Sequence, residues 1–461
     1  MSYFPIARSI REFASRFTEA GFSIYIVGGA VRDFFLHRPV TDYDFATDAE
    51  PQEVMGLFRS VVPTGIKHGT VTVLYKGRSH EVTTFRLDGT YGDHRHPDTV
   101  HFVRSLDEDL KRRDFTINAL AIDASNGTLV DHHQGMEDLK AKTIRAIGDA
   151  STRFEEDALR IMRACRFAAQ LDFTIEEHTK RSMAEVAPRL GAVSGERIRT
   201  ELMKILESPI PSRGLMELQE CNALEVILPE LALGDGVGQK GAHLHDVLRH
   251  GFAACDAAPR AKPLVRLAAL LHDVGKVPAK KIDGDGEATF HKHEIHSEKM
   301  ARKILGRLKF SNDERSIVLN LIKHHMFHYT QDWTDGAVRR FVGKVGSDAL
   351  EDLFALRLAD QVAIHGYSDP QGIIAFEKRI RQVLEESSAL TTRDLDIDGN
   401  DLAKLGIPKG PVMGIVLKFL LDTVLDDPKE NDHEKLATIA REFYLQRIAG
   451  PSGDQDPTSS S

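Results

Sequence analysis

The stretch IVGGAVRDFFLHRPVTDYDFAT, residues 26–47, decides how the first part of the chain folds. The apolar run 23–27 (SIYIV) predicts a buried strand, and the helical pattern AVRDFFLH follows two glycines. Gly28 and Gly29 therefore end a strand and open a helix, where backbone N–H groups and the positive end of the helix dipole can approach an anion. Arg32 lies one turn into that helix, where it can neutralise a triphosphate. The pattern predicts a phosphate-binding loop.

The same stretch ends in two aspartates that suit a divalent cation. Asp42 and Asp44 stand at positions i and i+2 of a predicted strand over 42–46, so both carboxylates project from one face. Carboxylate oxygens are the ligands that Mg²⁺ prefers, together with the phosphates of a substrate. Glu81, on the strand-like HEVTTF (80–85), is a candidate third carboxylate. A glycine pair alone is usually a turn and an Asp-x-Asp pair alone a solvated strand end, but the combination is much more specific.

Outside this stretch, strand and helix patterns alternate over the first 150 residues, with further strands predicted at 70–75, 80–85 and 100–103. From about Arg153 to Ala449 the periodicity is largely helical. The charged, Gly-rich segment 231–243 is typical of a joint between helical domains, and 461 residues are too many for one core. The sequence therefore predicts a multidomain α+β protein, with a mixed sheet and its helices preceding mostly helical regions.

Composition narrows the class of protein. With 41% hydrophobic and 28% charged residues, the chain is not collagenous, a coiled coil or mainly disordered. No apolar run is long enough for a membrane span, and the first residues lack the apolar segment of a signal peptide. Three cysteines without a CxxC spacing argue against a disulfide scaffold or zinc knuckle, so we predict a cytoplasmic protein with no membrane partner. The net charge of −9 and the lack of a polybasic run mean that a nucleic-acid surface must be assembled in three dimensions.

Five motifs in order resemble the class II tRNA nucleotidyltransferase and poly(A) polymerase family, whose catalytic head is of the polymerase-β type. The stretch quoted above is the first. The others are RSLDEDLKRRDFTINALAID (104–123), DHHQGMEDLKAKTIRAIG (131–148), EEDALRIMRACRF (155–167) and GERIRTELMKIL (195–206). The resemblance spans about residues 20–210 and is highly specific, because order and spacing both agree.

The resemblance implies roles for individual residues. Asp42 and Asp44 would bind catalytic Mg²⁺, with Glu81 as a further catalytic carboxylate, and the nucleophile would be the 3′-hydroxyl of an RNA. The nucleotide would be bound, from phosphates to ribose, by Gly28, Gly29, Arg32, Arg112 or Arg113, Asp114 and Asn118. Asp157 and Arg160, three apart on one predicted helix, would face the base edge. A carboxylate acceptor beside guanidinium donors favours C and A, which carry an exocyclic amino group, and Arg163 and Arg166 would continue toward phosphate and RNA.

Two comparisons with the family narrow the set of nucleotides that the protein is expected to add to RNA. The basic segment of the poly(A) polymerases is replaced here by FRSVVPTGIKHGT (58–70), which disfavours that activity. The loop region 85–102 has its full length, whereas enzymes that add only CC have a shortened one. We therefore expect addition of CCA to tRNA from CTP and ATP, with no DNA partner. An enzyme that adds only A stays open as an alternative.

A second group of motifs lies in residues 243–296, which hold seven of the 21 histidines in HLHDVLRH, LLHDVGK and HKHEIH. His272 and Asp273 lie inside an apolar helix, where an adjacent His-Asp pair needs a compensating ligand. The region resembles an HD phosphohydrolase domain. The resemblance implies that His250, His272, Asp273 and Asp360 bind a divalent metal (Mg, Mn, Ni or Co), and that His293 with His324 or His325 can hold a second. We expect His243, His245, His291 and His296 to serve packing and hydrogen bonding.

Together these predictions define five regions: a nucleotidyltransferase head (1–147), a helical neck (148–230), an HD domain (241–365), a C-terminal helical region with a candidate RNA contact (366–448) and a disordered tail (449–461). Two competing hypotheses follow from the same residues. One is a partial tRNA nucleotidyltransferase that adds only A or only CC. The other is a metal-dependent HD phosphohydrolase whose front half binds RNA. A non-catalytic RNA-binding protein is disfavoured by the intact metal-binding motifs in both halves.

Overall fold

A computed structural model of the protein describes residues 4–40, 42–88, 100–239, 244–284, 288–385 and 389–448. A mixed sheet with its helices comes first and helices follow, so the predicted α+β class is confirmed. No helix in these ranges combines the length and the apolarity that crossing a membrane requires. The predicted tail 449–461, most of the loop region 85–102, and His243 lie outside the described residues.

Among the described residues, the head contains five α-helices and ten strands. The helices are α1 (Arg8–Glu19), α2 (Gly29–Phe35), α3 (Pro51–Leu57), α4 (Leu106–Lys111) and α5 (Gly135–Ala141). The strands are β1 (Ile24–Val27), β2 (Asp44–Thr47), β3 (Val61–Gly65), β4 (Thr70–Tyr75), β5 (Arg78–Thr84), β6 (Arg86–Asp88), β7 (Val100–Phe102), β8 (Ala121–Asp123), β9 (Leu129–Val130) and β10 (Thr143–Ile144).

Seven of these strands form one sheet in the order β3-β4-β5-β2-β1-β8-β9. All pairs are antiparallel except β2 with β5, which is parallel. Asp44 in β2 pairs with Val27 on one side and with Glu81 on the other. Residues from three neighbouring strands are therefore aligned where the first strand ends.

The predicted start of β2 at Asp42 is wrong by two residues. The last pair of β1 and β2 joins Val27 to Asp44, and the chain then turns at Gly28, whose φ is 72°. Residues 42 and 43 consequently precede the strand. Asp42 lies two residues before the first residue of β2 and is exposed.

The neck and the HD region are mainly helical. The neck contains α6 (Ala150–Glu156), α7 (Leu159–Leu171), α8 (Glu177–Val186), α9 (Gly195–Leu206), α10 (Pro211–Glu220), α11 (Ala223–Ile227) and α12 (Pro229–Ala232), with β11 (Thr174–Ile175) paired to β10. The HD region contains α13 (Val247–Ala257), α14 (Pro263–Leu271), α15 (Lys276–Ala279), α16 (His293–Arg307), α17 (Asn312–His324), α18 (Asp335–Val345), α19 (Leu350–His365) and the short pair β12 (Lys281–Ile282) and β13 (Ala288–Thr289).

The apolar core is continuous from the head to the HD region. One cluster of buried side chains extends from Phe4 to Ala363 in α19. The last helices are α20 (Gln371–Glu385), α21 (Gly399–Lys404), α22 (Pro411–Asp426) and α23 (His433–Arg447). Phe376 of α20 packs with α18 and α19, whereas α21, α22 and α23 share a separate cluster of buried residues.

Candidate active site and metal centre

The glycine loop, one of the two aspartates and Glu81 meet at the central strands of the head. Gly28 joins β1 to α2 with a φ of 72°, a conformation that favours glycine. A Cβ atom on Gly28 would lie 3.4 Å from Nη1 of Arg113 and 4.0 Å from Oδ2 of Asp44. The loop therefore brings its backbone close to a cationic group and a carboxylate, as a site for a metal-bound phosphate requires.

The carboxylates at this point carry mutually unfavourable charge. Burial raises the pKa of Asp44, the charge of Arg113 opposes that rise, and the nearby charge of Asp42 adds to it. Burial also raises the pKa of Glu81, and Asp44 raises it further. A divalent cation would relieve this repulsion, and the donors are the hard oxygens that Mg²⁺ takes. The residues present therefore fit such an ion.

One cavity of about 700 Å³ opens between the head and the neck. Its wall includes Asp44 and every residue for which a nucleotide contact was predicted. These are Gly28, Gly29, Arg32, Arg112, Arg113, Asp114, Asn118, Asp157, Arg160, Arg163 and Arg166. Five further wall residues were not predicted: Leu159, Phe167, Gln170, Arg197 and Lys204. Asp42 and Glu81 are not part of this wall.

A chain of hydrogen bonds links the phosphate loop helix to the neck. Nη1 of Arg32 donates to Oδ1 of Asn118 over 2.8 Å, and Nδ2 of Asn118 donates to Oδ1 of Asp114 over 3.0 Å. Nε of Arg163 donates to the other oxygen of Asp114 over 2.7 Å. Burial would raise the pKa of Asp114, but the charge of Arg163 and the hydrogen bonds outweigh it and lower that pKa to about 2. Asp114 and Asn118 thus hold two arginines at the cavity wall.

The predicted single helix over 155–167 is wrong, because it is broken at Asp157. α6 ends at Glu156, Asp157 has extended backbone angles (φ −148°, ψ 101°), and α7 begins at Leu159. Oδ1 of Asp157 accepts from the backbone N–H of Leu159 over 3.1 Å, a local bond that competes with helix formation. Asp157 and Arg160 still line the same cavity, although they do not belong to one helix.

Both members of this pair have partners within the protein. Nη2 of Arg197 donates to Oδ2 of Asp157 over 2.7 Å. Nη1 of Arg160 donates to Oε2 of Glu156 over 2.6 Å and to the carbonyl of Arg153 over 2.8 Å. Contacts within the protein therefore fix both side chains in position at the cavity wall.

Three carboxylates that the sequence analysis did not single out hold the arginines of this cavity. Asp109 accepts from Arg112 and Arg113, Glu156 from Arg160, and Glu201 from Arg166. The spacing of Asp109 to the two arginines, i to i+3 and i+4 within α4 and the residues after it, is a signal that could have identified it. Glu201 is far from Arg166 in sequence, and no local pattern points to their contact.

The HD motifs converge on one buried cluster. His250, His272 and Asp273 form a group whose ligand atoms lie within 4.8 Å of one another, and Asp273, His293 and His325 form a second. Oδ1 of Asp360 lies 3.2 Å from Nε2 of His250 and 3.5 Å from Nε2 of His272. The two oxygens of Asp273 face different groups, with Oδ2 3.3 Å from Nε2 of His272 and Oδ1 3.1 Å from Nε2 of His293. The structure thus brings together all four predicted ligands.

The orientation of the imidazole rings fits metal binding. The Nδ1 atoms of His272 and His325 each lie 2.7 Å from a backbone carbonyl oxygen, so they carry the proton in the neutral rings. Their Nε2 lone pairs then face other acceptors, which requires either a shared proton or a cation. Of the two alternatives for the second metal, His325 is buried and in the cluster, whereas His324 is only half-buried.

Of the remaining histidines, those that can be described are too exposed for the expected packing role, whereas the expectation that they are not metal ligands agrees with their positions. His245, His291 and His296 are exposed, and none of them belongs to either metal-binding group. They lie on the solvent side of the segments that carry the buried ligands, where a polar ring needs no partner in the core.

Three family models match consecutive parts of the chain. Residues 24–145 match the poly A polymerase head domain, and residues 236–364 match the HD domain. Residues 172–233 match a model described as "Probable RNA and SrmB-binding site of polymerase A".

Curated relatives and solved structures cover nearly the whole chain. A CCA-adding enzyme of Leuconostoc mesenteroides is 36% identical over 445 residues, which is 93% of this chain and 94% of that protein. A CCA-adding enzyme of Streptococcus pyogenes serotype M2 is 34% identical over 93% of this chain and 95% of its own length. The crystal structure of the Bacillus stearothermophilus CCA-adding enzyme in complex with CTP superposes with a TM-score of 0.71 at 30% identity, covering 94% of this chain and 96% of that one.

Proposed function

This chain belongs to the family of CCA-adding enzymes, and from this we infer that it adds C, C and A to the 3′ ends of tRNA from CTP and ATP without a nucleic-acid template. One observation carries the proposal. A single cavity contains the glycine loop, Asp44 and the base-facing pair Asp157 and Arg160, so one bound nucleotide can meet all three. Relatives named CCA-adding enzymes match over 93% of this chain, which disfavours an enzyme limited to A or to CC.

The chemistry we propose is in-line attack of the RNA 3′-hydroxyl on the α-phosphorus, with pyrophosphate as the leaving group. Mg²⁺ bound to Asp42 and Asp44, with Glu81 beside them, would lower the barrier by charge stabilisation. The protein itself provides no nucleophile. Its contribution is to bind and orient the triphosphate, so that a reaction between two molecules occurs at a fixed geometry.

The groups that hold the phosphates are the backbone N–H groups after Gly28 and the guanidinium groups of Arg32 and Arg113. The start of α2 directs its backbone N–H groups toward the loop, although this helix has only seven residues. Arg113 adds a positive charge close to both Gly28 and Asp44. Asp157 accepts from an exocyclic amino group, and Arg160 donates to ring acceptors, which selects C and A over U and G.

The test is extension of three tRNA transcripts, ending before CCA, after C and after CC, with CTP and ATP supplied separately and together. We expect all three to reach a complete CCA end. Extension of only the transcript ending in CC would make the protein an A-adding enzyme. Failure to extend any of them would contradict the proposal.

The matched variant for this test is Asp44→Asn, which keeps the side-chain shape and removes a metal ligand. We expect it to lose incorporation while its melting temperature stays within a few degrees of the wild type, because Asp44 lines the open cavity and is not part of the apolar core. Wild-type rates in this variant would contradict the assigned metal site.

A second activity is favoured by the HD cluster. We propose that His250, His272, Asp273 and Asp360 hold a divalent ion (Mg, Mn, Ni or Co), that His293 and His325 share Asp273 with a second ion, and that phosphate esters such as 2′,3′-cyclic nucleotides are hydrolysed there. The buried acceptors facing one another support this proposal. Phosphate release should depend on the added ion and disappear in His272→Gln, whereas transcript extension should persist.

A further inference from the structure

Asp109 in α4 is a buried charge in contact with the arginines of the nucleotide cavity. Only 1% of the residue is exposed. Its Oδ1 atom accepts from Nε of Arg112 over 2.9 Å, and its Oδ2 atom accepts from Nη2 of Arg113 over 3.3 Å. The backbone N–H of Arg86, the first residue of β6, also points to Oδ1 at 3.4 Å. One carboxylate therefore holds two consecutive guanidinium groups.

The carboxylate stays charged in this setting. Burial would raise the pKa of Asp109, but the charges and hydrogen bonds of Arg112 and Arg113 outweigh it and keep that pKa below its usual value. Two guanidinium groups on adjacent residues repel each other, and a neutral partner would not offset that repulsion. An ionised carboxylate between them is the group that can fix both.

The two arginines held by Asp109 each reach a different part of the nucleotide site. Arg113 extends to the phosphate loop, since its Nη1 atom lies 3.4 Å from where a Cβ of Gly28 would be. The backbone carbonyl of Arg112 accepts from Nη2 of Arg160 over 3.3 Å, and that arginine faces the base. A displacement of this dipeptide would consequently change the position of the group that faces the phosphates and of the group that faces the base.

We propose that Asp109 is a positioning residue that sets both guanidinium groups in place for the triphosphate of either nucleotide. The inference rests on the proposed function. Asp109 is buried outside the cavity wall, whereas Arg112 and Arg113 line it, so Asp109 acts through these two arginines. Because the arginines are ordered beforehand, binding does not have to immobilise two long side chains. The triphosphate is common to CTP and ATP, so the effect is the same for both.

The experiment compares Asp109→Asn with Glu108→Gln and Asp109→Glu. Glu108 is an exposed acid of the same helix, so its replacement controls for the change of net charge. The readouts are KM and kcat for CTP and ATP in transcript extension, KM for tRNA, the calorimetric Kd for CTP with Mg²⁺, and the melting temperature.

We expect Asp109→Asn to raise KM for CTP and for ATP about tenfold, by a similar factor for each, and to raise Kd for CTP about tenfold, with KM for tRNA within twofold of the wild type. Glu108→Gln should behave as the wild type, and Asp109→Glu should recover part of the loss. Unchanged nucleotide KM and Kd in a folded Asp109→Asn protein, or an effect on one nucleotide only, would overturn the inference. If Asp109→Asn does not fold, Asp109→Glu decides, and wild-type values in it would overturn the inference.

The same measurements separate this inference from the proposed function. A wild-type protein that extends no transcript contradicts the proposed function alone, because calorimetric binding of CTP still tests Asp109. A wild-type protein that extends transcripts, with Asp109→Asn equally able to bind CTP, contradicts the inference alone.

Discussion

Among individual residues, the arginines of the nucleotide cavity are like charges held close together. Its wall contains seven arginines, which would repel one another in a pocket with no bound phosphate. The protein places a carboxylate beside them, such as Asp109 for Arg112 and Arg113, and Glu201 for Arg166. The arginines are thus held in a fixed arrangement, and part of their donor capacity remains directed at the cavity.

The ion pair of Asp114 with Arg163 makes stability depend on pH. The folded-state pKa is lowered from 3.8 to about 2, so the stabilisation is fully present above the unfolded value and is lost as pH falls through the folded value. The shift corresponds to roughly 2 kcal/mol for this buried group. We expect Asp114→Asn to be less stable by at least that amount at pH 7, and the difference to narrow between pH 4 and pH 2. Urea unfolding of both proteins from pH 7 downward measures it, and a difference that does not change with pH would contradict the assignment.

Arg160 provides the residue-scale test of nucleotide choice. Its side chain is fixed by Glu156 and a backbone carbonyl, with its remaining donors available at the cavity. We expect Arg160→Ala to raise incorporation of UMP and GMP relative to CMP and AMP by about tenfold. KM for CTP should rise by a smaller factor than this. Arg189→Ala, which removes an exposed neck arginine paired with Glu155, is the control. Unchanged selectivity would place base recognition elsewhere.

At the scale of elements, the sequence predicted the strands and helices whose pattern is local. β1, β4 and α2 agree with the apolar runs and the glycine pair at 26–47. The pattern does not reveal β8 (Ala121–Asp123) and β9 (Leu129–Val130), because two or three residues give no usable periodicity, and the pairing of β8 with β1 and of β9 with β8 is set by the tertiary fold. The break at Asp157 was missed for a related reason. The residues around it have helical periodicity, whereas the side-chain bond to Leu159 and the contact with Arg197 stabilise the extended conformation.

The residues of the two candidate sites could likewise be predicted where their pattern is local in the sequence. Motif residues such as Asp44, Arg32 and His272 could be assigned by type and spacing, and the structure brings them to common places. Glu201 and Arg197 could not, because their partners Arg166 and Asp157 are about 35 to 40 residues away in sequence. Such contacts depend on how α7 and α9 pack, which periodicity alone does not fix.

The neck helix α9 meets the HD-region helix α16 at a close contact that leaves no room for a side chain at Gly195. Gly195 opens α9, and a Cβ there would lie 2.2 Å from the carbonyl oxygen of Arg307. Gly195→Ala should therefore force α9 away from the end of α16 and reduce the free energy of unfolding by about 1–3 kcal/mol. Gly306→Ala is the matched control, because nothing lies within 4 Å of its Cβ position. That helical change should instead stabilise the protein by about 0.5–1 kcal/mol. Equal effects of the two substitutions in urea unfolding would contradict the proposed packing.

At the scale of the whole molecule, the transferase site and the HD site share one core. The buried cluster that begins at Phe4 continues through the neck to Ala363. The nucleotide cavity includes residues of α7, and the buried His/Asp groups together with Asp360 lie in α13, in α19 and at the ends of α14, α16 and α17. The two sites are thus chemically separate, but they depend on the same packed helices for their position.

One buried arginine joins these two parts through backbone acceptors. Arg266 of α14 is 3% exposed, and its Nη1 atom donates to the carbonyls of Leu206 and Ser208 over 2.6 Å each. Its Nε atom donates to the carbonyl of Ala258 over 2.9 Å. The side chain therefore donates hydrogen bonds both to carbonyl groups at the end of the neck helix α9 and to a carbonyl group at the end of α13. Hydrogen bonds from a charged group contribute more than neutral ones, and buried acceptors without a donor are costly.

We expect Arg266→Met, which keeps most of the side-chain volume, to lower the free energy of unfolding by about 3 kcal/mol or more, since three carbonyls lose their donor. Arg260→Met is the control, because Arg260 is exposed and donates to the single carbonyl of Glu207 over 2.8 Å. Its effect should stay within about 0.5 kcal/mol. Because the core is continuous, Arg266→Met should unfold in one transition at a lower temperature than the wild type. After heating, transcript extension and phosphate release at the HD site should therefore be lost at the same temperature. Inactivation of the HD site alone, with the transferase retaining its wild-type resistance to heat, would show that the two parts unfold independently and that Arg266 does not join them.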